Sequence, residues 1–68
     1  MIKQLTDIAK FTSQSFETAF YAAIEFAKFG LTNDNILKRT KDALILTRLS
    51  GLEINQSVQT IKAAIVNF

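Results

Sequence analysis

The chain has no cysteine, no histidine, no proline and no tryptophan, and only two glycines, Gly30 and Gly51. Each absence removes a class of answer. Without Cys there is no disulfide framework, and without Cys or His the common zinc sites are gone. Nucleophile–His pairs and most transition-metal sites go with them. The lack of Cys is compatible with a reducing compartment. No Gly-rich phosphate loop can be drawn with so few glycines. No long apolar run exists either. The longest, Ala19 to Ile24, is far short of the about 20 residues needed to span a bilayer. Met1-Ile2-Lys3-Gln4-Leu5-Thr6-Asp7 lacks the apolar region and small-residue cleavage site of a signal peptide.

What remains is helix-forming chemistry. The 68 residues suffice for one small domain with a thin core. Such a core calls for tight helix packing, self-association or support from a longer parent chain. Apolar residues make up 49% of the sequence, which argues against disorder. Six Phe and one Tyr predict a Phe-rich core. The net charge of +2 is too small, and the basic residues too scattered, to imply nucleic acid.

Apolar spacings of three and four dominate and strand-like alternation is missing, so the fold class is all-α. The expected helices cover about 2–11, 13–29, 33–49 and 54–67. The first is a short stripe of Ile2, Leu5, Ile8 and Ala9. Thr12 or Ser13 is the expected cap of the second. Its wide face holds Phe16, Ala19, Phe20, Ala23, Phe26 and Ala27, extended by Ala22 and Ile24. Glu17, Glu25 and Lys28 face the other way, and Tyr21 is expected to be partly exposed. Gly30 then closes the helix as a left-handed turn residue, with Leu31 folding back. Thr32 caps the third helix, whose inward face is Ile36, Leu37, Thr40, Ala43, Leu44 and Thr47.

Ile45, Leu46 and Leu49 do not fit that face. Either neighbouring helices enclose them or they form a protein-contact surface. Ser50-Gly51-Leu52 repeats the stop, and the fourth helix follows with Glu53 or Asn55 as its cap. Its inner face is Ile54, Val58, Ile61, Ala64, Ile65 and Phe68, with Ala63 and Val66 off it. Turns this short predict successive antiparallel helical hairpins.

The carboxylates Asp7, Glu17, Glu25, Asp34, Asp42 and Glu53 are scattered on solvent faces. Glu17 and Glu25, two turns apart, could serve acid–base work but read better as a solvated stripe. No catalytic, cofactor or metal site is expected. The third helix, the Gly51 turn and the fourth helix superficially resemble a helix-turn-helix. Asn55, Gln56, Gln59 and Lys62 would then read bases. With Lys62 the only basic residue there, and Lys38, Arg39 and Lys41 one helix away, phosphate contacts would be few, so nucleic acid is not the expected partner. Lys and Arg do not dominate the polar face of the second helix, so a membrane-surface role is not expected either.

The ordered segments Glu25–Thr32, Ile36–Leu44, Ser50–Leu52, Ser57-Val58 and Ala63–Phe68 resemble the core region of phage tail tape measure proteins. The shared pattern is an Ala-(Lys or Arg)-x-Gly-(Leu or Phe)-(Ser or Thr) turn, a helix with Thr and Ala-Leu, a small-Gly-hydrophobic-acidic turn, and a final Ala-hydrophobic-x-x-Phe. Lys10-Phe11-Thr12-Ser13 is similar to the family's lead-in. The resemblance implies a non-catalytic structural protein that is long and helical. It would line the tail lumen as a length ruler and leave when the tail opens. It further implies assembly in a bacterial host, residence in the virion tail, and partners that are copies of itself or other tail proteins. So short a chain is then expected to be a fragment, or a small reading frame derived from one. Ile45, Leu46 and Leu49 are where parent sequence or a second copy would dock. Two other expectations stand beside it: a small DNA-binding phage regulator, and a small helical adaptor or inhibitor.

Overall fold

A computed structural model describes residues 1–67. Four helices occupy them: α1 (Ile2–Phe11), α2 (Phe16–Lys28), α3 (Asn33–Ser50) and α4 (Ile54–Asn67). The all-helical fold follows from the apolar periodicity, and helix ends agree with expectation to within one residue except at the start of α2. The part assigned to Phe68 on the inner face of α4 lies outside the described residues.

Helix α2 begins at Phe16 because Ser15, rather than Thr12 or Ser13, caps it. The Ser15 Oγ accepts from the Thr18 N–H at 3.1 Å. Thr12 and Ser13 serve the end of α1 instead. The Thr12 hydroxyl donates to the carbonyls of Ile8 and Ala9 at 2.8 and 3.2 Å. Ser13 sits at φ +59°, and the Ser13 and Gln14 N–H groups donate to Lys10 and Ala9 carbonyls. That is the two-bond Schellman ending, with serine where glycine is preferred. The left-handed conformation costs a non-glycine residue about 1–2 kcal/mol. Ser13→Gly is therefore expected to stabilise the domain by about 0.5–1 kcal/mol, raising the melting temperature by several degrees. An unchanged or lowered melting temperature would show that Ser13 is not strained.

The other two turns are built as expected. Gly30 stands at φ +92°, donating to Ala27, and Leu31 donates to Phe26, the same double bond pattern. Leu31 packs on the core cluster that contains Phe26. Gly51 at φ +75° donates to Thr47 and ends α3. Thr32 caps α3 through the Asn35 N–H, 3.4 Å away. Glu53 precedes α4, and its N–H donates to Gln56 Oε1 at 3.1 Å, half of a capping box. Asn55 lies within the helix.

Helices α2 and α3 form the central pair. Helices α1 and α4 each rest on both of them; among the described residues their backbones do not approach each other, although Leu5 and Val58 belong to one core cluster. The molecule is a slab of 29 × 26 × 15 Å. Among the described residues the core is not Phe-rich. Its buried apolar residues are Leu5, Ala9, Ala19, Ala22, Ala23, Phe26, Ile36, Ala43, Leu44 and Val58. Of the described phenylalanines only Phe26 is fully enclosed. Phe16 is half-buried, and Phe11, Phe20 and Phe29 are exposed. Alanines hold the places where helix backbones come close, and a ring does not fit there. Ala27 and Ala64, expected inside, are exposed, because no helix covers those flanks of α2 and α4. Tyr21 is partly exposed at 39%.

Among the described residues three polar ones are buried: Thr12, already satisfied at the end of α1, and Ser57 and Thr40. Ser57 is fully buried and accepts from Thr47 Oγ1 at 2.7 Å, tying α4 to α3. Thr40 is fully buried and its hydroxyl finds no partner. A buried hydroxyl without a hydrogen bond costs about 1–3 kcal/mol. Thr40→Val keeps the shape and removes the orphaned group. It is expected to shift the urea midpoint upward by the equivalent of about 1 kcal/mol, and a lower midpoint would contradict the assignment.

Candidate protein-docking groove

The three residues singled out at the end of α3 are separated by the fold. Ile45 and Leu49 line a groove of about 490 Å³, together with Arg48 of α3 and with Phe11 and Thr12 at the end of α1. Leu46 is half-buried and lies outside that groove. The neighbouring helices enclose this end of α3 only in part: Ile45 is half-buried, whereas Leu49 is 80% exposed.

The groove follows from helix lengths. Helix α1 has 10 residues and α3 has 18. Near its end α1 meets α3, with Ala9 in the small cluster that holds Leu44 and Phe11 beside Lys41. The last turns of α3 extend past the end of α1, and Ile45 and Leu49, one turn apart, are covered only in part. Phe11 completes the apolar lining and is 66% exposed. Sequence reasoning missed Phe11 because it falls off the apolar stripe of α1. The available signal was a large ring outside the inward face, which marks a contact surface when other apolar residues gather beside it.

The polar surroundings are basic. Lys41 Nζ stands 4.6 Å from the Phe11 ring centroid, a cation–π contact. Arg48 is exposed on the groove wall. Among the described residues neither makes an ion pair. Asp42, one turn before Ile45, is held by Arg39 at 3.6 Å. A second, smaller apolar depression of about 220 Å³ lies at the other end of α1, between Ile2, Phe20, Ile24 and Ile36 among others.

The carboxylate expected on a free solvent face is not free. Glu25 bridges two lysines, Lys62 of α4 at 3.3 Å and Lys28 at 3.4 Å. The Lys62 ammonium holds the Glu25 carboxyl below its ordinary range, against a smaller opposing push from desolvation, with Lys28 adding to the lowering. A carboxylate kept charged in this way is no general acid, and Glu17 stands apart from it on the first turn of α2. Stability from a depressed carboxyl is present above its unfolded value of about 4.3 and is lost as the pH falls through the folded value. Glu25→Gln should therefore melt below the parent at neutral pH, and the gap should close on acidification. A gap that persists in acid would mean that packing, and not charge, is the cause.

Lys62 is the only basic residue of α4, and it is committed to Glu25 and lies 5.6 Å over the Phe29 ring. Asn55, Gln56 and Gln59 are exposed, but Gln56 caps its own helix. Little positive charge is left on that face to hold phosphates. Among the described residues no cluster of metal-ligating side chains occurs, and no helix is long and apolar enough to cross a membrane. Set beside known protein families, curated proteins and solved structures, the chain matches none.

Proposed function

We propose that the chain is a non-catalytic protein-docking domain, and that its setting is a bacteriophage tail tape measure protein. The observation that carries the docking function is the groove at the end of α3. A chain that can enclose few large side chains nevertheless leaves Phe11 and Leu49 in water beside Ile45. Exposed apolar side chains gathered in one concavity mark a contact surface. The setting rests on the ordered motifs from Glu25 to Phe68, whose glycine stops and Thr cap follow the order of that family's core region.

In this reading the domain packs against copies of itself or other tail proteins within the tail, and contributes no chemistry. Peptides of this chain are expected in purified tailed virions. They are expected to be lost from particles that have released their genome. Virions without them would overturn the setting while leaving the docking function open. A regulator reading draws no support from α4, whose lysine is already paired. Retention of DNA by micromolar protein in a low-salt gel shift would restore it.

A further inference from the structure

We infer that the groove formed by Phe11, Ile45 and Leu49 receives an amphipathic helix whose apolar stripe is flanked by acidic residues. The inference rests on the docking function above and names the partner's chemistry. The floor is apolar and one α3 turn long between Ile45 and Leu49. It opens where α1 stops and α3 continues, so the missing neighbour is an element that lies against the last turns of α3. A helix with apolar residues at i, i+3 or i+4, and i+7 fills such a space.

Charge selects among such helices. Arg48 lines one wall and Lys41 stands over Phe11, both exposed and neither in an ion pair among the described residues. Lys10 precedes Phe11 on α1. On the acidic side are Asp42, already held by Arg39, and Asp7, one turn before Phe11. The balance at the rim is positive. Opposite charge across a rim favours encounter and register, and like charge rejects the wrong partner. A basic or neutral stripe would gain only the apolar contact.

The test is a selection from a library of displayed helical peptides against the intact chain, followed by titration of the enriched peptides. The expected result is enrichment of apolar residues spaced three and four apart with Glu or Asp beside them. Affinity should fall at least tenfold for Leu49→Glu and for Arg48→Glu, and should weaken with added salt. Because Leu49 and Arg48 are exposed, neither variant should lose its helical circular dichroism. A peptide carrying Lys in place of the acids should regain affinity for Arg48→Glu. No enrichment, or enrichment indifferent to charge, overturns the inference. So does a concentration-dependent dimer that Leu49→Glu abolishes, since a second copy would then be the occupant. Neither result bears on whether the chain resides in virions, so failure here and failure of the tail setting can be told apart.

Discussion

Phe26→Ala is expected to remove about a third or more of the domain's stability. Among the described residues Phe26 is the largest fully buried side chain, and it belongs to the main core cluster with Leu5, Ala22, Ala23, Ile36, Ala43 and Val58. Removing a buried ring costs about 3–5 kcal/mol. A domain of this length has a net stability of about 3–10 kcal/mol in all. The loss is compounded at the end of α2, where the Leu31 side chain packs on the same cluster. Urea titration followed by circular dichroism measures the effect. Phe11→Ala is the control: that ring is 66% exposed, and its loss should cost about 0.5 kcal/mol or less. If the two variants were equally stable, the assignment of Phe26 as the centre of the core would be wrong.

Ala43→Leu should cost about 1–3 kcal/mol, although it adds apolar surface. Ala43 has no exposed area and shares its cluster with Ala22 and Ala23 of α2. The α2–α3 pair is close because these side chains are small, and a leucine there must push the backbones apart or leave its rotamer well. Ala63→Leu makes the same chemical change on the exposed side of α4 and should be nearly neutral. Thermal melts of both variants decide the matter. Stabilisation by Ala43→Leu would reveal unfilled space at the centre of the molecule.

How much of this was legible in the sequence depended on the kind of signal. The helices were legible because apolar residues at spacings of three and four, two glycines and Thr32 all punctuate the chain locally. The inward face of α3 was legible for the same reason: Ile36, Thr40, Ala43 and Leu44 are buried, and Leu37 and Thr47 are half-buried. The start of α2 was not, because Thr12, Ser13 and Ser15 are all good capping residues and only the left-handed Ser13 decides among them. The composition of the core was not legible either. Helical periodicity says which side a residue faces, but not how near the next helix lies, and that distance admits Ala22 and excludes Phe20. The groove was half legible. Ile45 and Leu49 stood out as surplus on α3, whereas Phe11 could join them only once α1 had been placed. Likewise the ion pair of Glu25 with Lys62 spans distant parts of the chain, and nothing local announces it.

The separation of α1 from α4 has a consequence for how the molecule opens. Each outer helix makes its backbone contacts with the central pair alone. The domain then has two lids of order. Amide hydrogen exchange should release α1 and α4 as separate units of low protection, with α2 and α3 exchanging last and together. Since each helix also packs on the next in sequence, most closures during folding are short, and the chain should assemble without a slow search for distant partners.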